Sequence, residues 1–107
     1  MKLGIIQGRL LKPVGGHIQE FPKDWKREFT LLRRLGLSHV EWIVTASSFL
    51  TNPVFFEDCS EYEISSICAD NLVHPDFNKE DFLRDNLLPL CEAALKSNIH
   101  WLTIPLL

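Results

Sequence analysis

Short apolar runs alternate along this chain with longer stretches in which apolar residues recur at helical spacing. Four short runs contain β-branched and aromatic residues: Leu3–Ile6, Ser38–Val44, Glu63–Ala69 and Ile99–Pro105. Continuous runs of this kind are typical of strands that are buried on both faces of a parallel sheet. The pattern therefore predicts four strands.

The stretch after the first run predicts a helix that begins near Pro22 and Asp24, because a proline and an acid both suit a first helical turn. Gly36 is expected to end this helix in the left-handed conformation. The apolar residues of the stretch recur at intervals of four, three and three positions and so share one helical face: Trp25, Phe29, Leu32 and Leu35.

Two further helical segments follow the second and third runs. Asn52 and Pro53 predict the cap and first position of a short helix that reaches about Cys59. A last helix is expected to begin at Asp76 or Asn78 and to be kinked or split at Pro89. Its apolar side is expected to hold Leu83, Leu87, Cys91, Ala94 and Leu95, with Asn98 as its stop.

Strands that alternate with helical segments indicate βαβ units and an α/β fold with a parallel sheet. About three βα units plus a fourth strand form one domain over residues 1–107, with no internal boundary. The loop Leu10–Glu20 is longer than the usual βα connection of about 2–6 residues, and long loops in this position are often functional. Since a full TIM barrel needs about 250 residues, we expect the N-terminal half of such a barrel.

Other α/β folds fit the first strand less well. It ends in Gln7-Gly8-Arg9, where a receiver-type domain would carry paired acids and a nucleotide-binding fold would carry a glycine-rich phosphate loop. Gly15-Gly16 does not match the spacing of such a loop either. The half-barrel therefore remains the expected architecture.

Net charge, cysteine spacing and the length of apolar runs make some classes of protein less consistent with this sequence. The chain has 107 residues with a formal net charge of −3, and its basic residues are spread out, which disfavours nucleic acid as a partner. Its 3 cysteines lack CxxC spacing, as is usual for a reduced intracellular protein. Neither a signal peptide nor an apolar run of membrane-spanning length is evident. We expect a cytoplasmic protein without a membrane partner.

Several motifs, in order along the chain, resemble the opening of a sugar phosphate isomerase/epimerase of the xylose isomerase-like TIM barrel superfamily. They are Gly4-Ile5-Ile6-Gln7-Gly8-Arg9-Leu10, Phe21-Pro22, Leu35-Gly36-Leu37, Val40-Glu41-Trp42-Ile43, Ser66-Ile67-Cys68-Ala69-Asp70 and Thr103-Ile104-Pro105-Leu106-Leu107. The resemblance spans essentially the whole chain. The region Thr51–Tyr62 is shorter than is usual in this family.

The resemblance implies a barrel that binds a divalent metal (Mn, Mg, Co or Zn) and interconverts sugar epimers, or aldoses and ketoses. The family's metal ligands are acids and a histidine on later strands, so we expect no catalytic residue and no metal ligand in this chain. The implied function is the N-terminal part of a metal-dependent sugar or sugar phosphate isomerase/epimerase, inactive alone, which supplies part of the substrate-binding wall. The alternative is a non-catalytic truncated product or fragment that assembles through its exposed sheet, either with itself or with a C-terminal half.

Four residues are candidates for binding substrate, because functional side chains of TIM barrels lie at the carboxyl ends of strands and on the following loops. They are Gln7, Arg9, Glu41 and Asp70. Arg9 could bind a phosphate through its planar guanidinium or form a structural ion pair, for instance with Glu41. We expect Arg9 and Glu41 to face one cavity that the Leu10–Glu20 loop flanks.

Alternatives remain open for the other candidates. Glu41, an acid within an apolar strand, could accept hydrogen bonds from sugar hydroxyls or belong to a buried ion pair. Asp70 could accept a sugar hydroxyl or bond its own backbone in a turn. His74 is a weak metal-ligand candidate because no second ligand lies nearby. Trp42 and Cys68 are better explained by packing than by chemistry.

Overall fold

A computed structural model describes residues 1–17 and 20–105 of the chain. The predicted loop Leu10–Glu20 and the family-like ending at Leu107 therefore lie partly outside the described residues. Four strands form one sheet: β1 (Gly4–Ile6), β2 (His39–Val44), β3 (Ile64–Ala69) and β4 (Leu102–Thr103). All neighbours pair in parallel, in the order β1-β2-β3-β4, so the predicted α/β fold with a parallel sheet is confirmed.

The connections between the strands hold three α-helices: α1 (Arg27–Arg34), α2 (Glu80–Asn86) and α3 (Leu88–Lys96). Single 3₁₀ turns follow β2 at Pro53–Phe55 and β3 at Asp70–Leu72. The predicted helix over Pro53–Cys59 is thus a single turn, although Asn52 caps it as predicted by accepting a hydrogen bond from the N–H of Val54 (3.1 Å).

Helix α1 begins later than predicted, because the chain from Pro22 to Lys26 forms turns with bonds three residues apart before the helix starts. Phe29 and Leu32 are buried as expected. Leu35 is 63% exposed, so its predicted burial is wrong: it lies at the C-cap, where the chain leaves the helix. Gly36 adopts a φ of 75°, and the N–H of Leu37 donates to the carbonyl of Leu32 (3.0 Å), which completes the predicted left-handed cap.

The predicted break at Pro89 is confirmed, since α2 ends at Asn86 and Pro89 lies in the first turn of α3. The break changes the helical phase, so Leu90 and Ala93 take buried positions while Leu95 is 81% exposed. The predicted burial of Leu95 is therefore wrong. Asn98 ends α3 with a φ of 58°, as its predicted role as a stop requires.

The helices pack on one face of the sheet. A single cluster of buried side chains joins the inner residues of β2 and β3 to α1 and α3. Its largest fully buried members are Trp42, Phe29, Leu32, Ile67, Leu72 and Leu90. Because successive residues of a strand point to opposite faces, the other face carries Ile6, His39, Glu41, Ile43, Ser66, Cys68 and Thr103. We call this second face the open face.

Candidate functional site

The open face places polar groups in rows across the sheet. The strand register sets Ile6 beside Glu41 and Glu41 beside Ser66. One row further towards the carboxyl ends, Ile43 lies beside Cys68 and Cys68 beside Thr103. Neighbouring strands are about 4.8 Å apart, so a carboxylate, two hydroxyls and a thiol lie within one small area.

A shallow cavity of about 290 Å³ lies on the open face near the start of the strands. Its polar lining comes from His39, Glu41, Ser65 and Ser66. Glu41 is partly buried and lines this cavity, so its carboxylate can contact a ligand that binds there. The carboxylate, imidazole and hydroxyl groups together can both donate and accept hydrogen bonds.

Glu41 and Asp70, two of the predicted substrate-binding residues, each lie close enough to Cys68 for their charge to act on its thiol. Burial raises the pKa of the Cys68 thiol, and the negative charges of Glu41 and Asp70 raise it further. Asp70 itself is exposed and begins the 3₁₀ turn after β3. Its backbone carbonyl accepts the N–H of Val73 (3.0 Å), so the turn forms through its main chain.

Gln7 has a different environment from the other candidates. Its side chain is 1% exposed, and its carboxamide oxygen accepts the backbone N–H of Ile43 (3.0 Å), which extends the pairing between β1 and β2 beyond Ile6. Its amide nitrogen has no hydrogen-bond partner among the described residues. The structure thus gives Gln7 a contact between strands, and its substrate role stays a prediction.

Arg9 is exposed, and its guanidinium donates to the backbone carbonyl of Gln7 (3.0 Å). No ion pair joins Arg9 to Glu41 within residues 1–17 and 20–105. Arg9 does not line the cavity beside Glu41, nor a second cavity of about 530 Å³ that lies between Leu10–Val14 and the chain from Pro22 into α1. The structure therefore places Glu41 in the first cavity and Arg9 in neither, so the expected shared cavity is not found.

Glu28 is a residue that the sequence reasoning missed. It lies on α1, is 1% exposed, and its carboxylate accepts the backbone N–H groups of Gly8 (2.8 and 2.9 Å) and Leu10 (3.2 Å). The helical spacing could have identified Glu28 as buried. It is three residues after Trp25 and four before Leu32, so it shares their helical face. An acid at such a position needs hydrogen-bond donors, and the start of the loop provides them.

Asn52 is a second buried polar residue whose role exceeds the predicted cap. Its amide donates to the carbonyl of Ile43 (2.9 Å), and its oxygen accepts the indole N–H of Trp42 (2.7 Å). Ile43 therefore has both backbone groups bonded to side chains, those of Gln7 and Asn52. These two bonds hold the carboxyl end of β2, the strand that carries Glu41.

The divalent metal that the family resemblance implies does not fit the donors of this chain. No group of three His, Cys, Asp or Glu side chains suited to a metal occurs in the part of the chain that the structure describes. The Nδ1 atom of His74 accepts the N–H of Asp76 (3.0 Å), and the ring stacks on Phe82 at 4.7 Å. We therefore derive no step that involves a metal.

We expect the chain alone to lack a divalent metal site tighter than about millimolar, because isolated carboxylates bind such ions weakly. Calorimetric titration with Mn²⁺, Co²⁺, Zn²⁺ and Mg²⁺ measures this directly. A stoichiometric micromolar site would contradict the expectation. Loss of that site in Asp70→Asn but not in His74→Ala would then assign it to the open face.

No family model, no curated protein and no solved structure matches this chain. None of the helices in residues 1–17 and 20–105 combines the length and the apolar character that crossing a bilayer requires.

Proposed function

We propose that this chain is the N-terminal half of a (β/α) barrel of the sugar or sugar phosphate isomerase/epimerase type, and that it supplies part of the substrate-binding wall. One observation carries the proposal: the parallel strands lie in chain order and the core that joins them to the helices lies on one face. A doubly wound sheet reverses its strand order and has helices on both faces. A barrel has sequential strands with helices outside, so the open face corresponds to a barrel interior.

The placement of polar groups supports the substrate-binding part of the proposal. Asp70 follows the carboxyl end of β3, where barrel enzymes bind substrates, whereas Glu41 lies on the open face in the middle of β2. Their carboxylates would accept sugar hydroxyls, while Ser66 would donate and accept. Arg9, exposed at the end of β1, would contact a phosphate. The metal ligands and the general base would come from outside this chain, and a cytoplasmic location is part of the same proposal.

An NMR titration of the chain with a hexose and with the matching hexose 6-phosphate tests the proposal. Half a binding wall should give an affinity of about millimolar (about −4 kcal/mol), with amide shifts centred on Glu41, Ser66 and Asp70. We expect the phosphorylated sugar to bind more tightly, because a guanidinium–phosphate contact is charge-assisted.

Arg9→Ala should weaken binding of the sugar phosphate and leave the neutral sugar unaffected. Arg34→Ala removes an exposed arginine of α1 and is the matched control. Equal losses for both ligands in Arg9→Ala would contradict the phosphate role of Arg9. Shifts that avoid the open face would contradict the proposed function altogether.

Assembly without catalysis is the second candidate function, and the sheet edges favour it. In the described residues β1 pairs with β2 alone and β4 with β3 alone, so both outer edges present unpaired backbone groups. Ile6 is 41% exposed on the open face, and Trp101, just before β4, is 73% exposed. The partner would be a second copy of the chain or a C-terminal half.

A further inference from the structure

The contact between Glu28 and the start of the β1–α1 loop joins residues that are 18 and 20 positions apart. Both carboxylate oxygens lie within hydrogen-bond distance of the N–H of Gly8, and one also accepts the N–H of Leu10. Hydrogen bonds to an ionised acceptor are roughly twice as strong as those between neutral groups. This contact therefore holds the loop where it leaves the sheet.

Among residues 1–17 and 20–105, no other side chain accepts hydrogen bonds from the backbone N–H groups next to Arg9. Strand pairing ends when the N–H of Gln7 donates to the carbonyl of Glu41 (3.0 Å). Gly8 then turns the chain with a φ of 83°, a left-handed conformation that favours glycine. The N–H groups on either side of Arg9 both point to Glu28, whereas the Arg9 side chain is exposed. The contact with Glu28 thus holds the backbone on both sides of Arg9, from which the guanidinium reaches back to donate to the carbonyl of Gln7 (3.0 Å).

The strength of the hydrogen bonds from Gly8 and Leu10 depends on whether the Glu28 carboxyl is ionised. Burial raises the pKa of the Glu28 carboxyl, while the hydrogen bonds from Gly8 and Leu10 and the positive charge of Arg9 lower it, with burial the larger influence. In the described residues Arg9 is the charged side chain that acts on Glu28. Protonation would reduce the strength of both loop contacts, because a neutral carboxyl is a weaker acceptor.

We propose that Glu28 is a positioning residue for Arg9: it fixes the backbone of Gly8–Leu10 and so presents the guanidinium to an anionic ligand. The claim that Arg9 meets an anionic ligand rests on the proposed function. The claim that Glu28 orders Arg9 does not, because it follows from the hydrogen bonds of Glu28. Separate measurements of the order of Arg9 and of anion binding therefore show which of the two claims fails.

The first measurement follows the amide protons of Gly8 and Leu10 in the wild-type chain as pH changes. Both should titrate together, with a midpoint above the ordinary glutamate pKa of about 4.3, because the acceptor that they share becomes protonated. This measurement needs no variant. Two amides that do not titrate, or that titrate with different midpoints, would overturn the inference.

The second measurement compares the order of the Arg9 side chain in wild type, Glu28→Gln and the control Glu92→Gln, which changes an exposed glutamate of α3. The carboxylate of Glu28 accepts the N–H groups of Gly8 and Leu10 through two oxygens, whereas a glutamine side chain has only one oxygen that can accept them. We expect a lower ¹⁵N heteronuclear NOE at the Arg9 Nε in Glu28→Gln only. An unchanged NOE at Arg9 would overturn the positioning role.

The third measurement titrates inorganic phosphate into the same three proteins. Glu28→Gln should bind it about tenfold more weakly than wild type or Glu92→Gln, equivalent to about 1.4 kcal/mol. If phosphate does not affect Arg9 even in wild type, the anion-binding role of Arg9 fails. A loss of Arg9 order in Glu28→Gln would still support the positioning role in that case.

Protein stability gives an independent check with a defined sign. Because the pKa of Glu28 is raised in the folded state, the folded chain binds more protons than the unfolded chain between about pH 4.3 and the raised value. The free energy of unfolding contributed by Glu28 should therefore fall as pH increases through that window. The difference in urea midpoint between wild type and Glu28→Gln should follow this trend, and the opposite trend would contradict the burial of an ionisable Glu28.

Discussion

Trp42→Ala is expected to remove most of the chain's free energy of unfolding at 25 °C. The Trp42 side chain is fully buried and lies against Trp25 at 5.3 Å and Phe29 at 6.2 Å between ring centroids. Its indole N–H also bonds to Asn52. Truncating a buried tryptophan to alanine costs about 3–5 kcal/mol, and a domain of this size has a free energy of unfolding near the low end of about 5–15 kcal/mol.

Phe56→Ala is the matched control, because Phe56 is an aromatic residue outside the sheet that is 69% exposed. Surface substitutions of this kind change the free energy of unfolding by about 0.5 kcal/mol or less. Urea denaturation followed by far-ultraviolet circular dichroism compares the variants without depending on tryptophan fluorescence. A loss below about 1 kcal/mol in Trp42→Ala would show that the aromatic cluster does not support the fold.

Trp42→Phe separates packing from hydrogen bonding at the same position. Phenylalanine keeps much of the aromatic contact with Trp25 and Phe29 but cannot donate to Asn52. The oxygen of Asn52 would retain the N–H of Val54 as a donor, so it would not be left unpaired. The cost should therefore lie between those of the two alanine variants.

The elements of this fold could be predicted from the sequence because each has a local cause. Every predicted strand is present, and the left-handed residues Gly36 and Asn98 end the helices where their chemistry indicated. The break at Pro89 also follows from a missing N–H and a steric clash that no tertiary contact can remove. Helical face assignments were less successful at Leu35 and Leu95, because burial near a helix end depends on where neighbouring elements stop.

The candidate site was predictable only in part. Parallel strands share one edge for their carboxyl ends, so the positions of Gln7 after β1 and of Asp70 after β3 at that edge follow from chain order alone. The contact between Glu28 and Gly8 does not, because it joins separate elements through side-chain length and backbone direction. The helical phase of Glu28 marks it as buried, but its partners become evident only in three dimensions.

The chain at micromolar concentration is expected to self-associate through its sheet. The outer edges of β1 and β4 present unpaired backbone donors and acceptors in the described residues, Ile6 is exposed on the open face, and Trp101 is exposed just before β4. Exposed edges and apolar surface of this kind favour pairing with another chain. Light scattering and sedimentation velocity over a range of concentrations should show dimers or larger species.

Variants of the open face can identify the surface that associates. A lysine on this face must lose solvation when a second chain covers it, so Ile6→Lys and Trp101→Lys should each raise the dissociation constant by about tenfold or more. Leu50→Lys is the matched control, because Leu50 is 72% exposed in the loop after β2, outside the sheet. Equal weakening by all three variants would assign the association to general hydrophobicity rather than to the sheet. A folded chain that stays monomeric at every concentration would contradict assembly through the open sheet and would remove the observation on which the non-catalytic alternative depends.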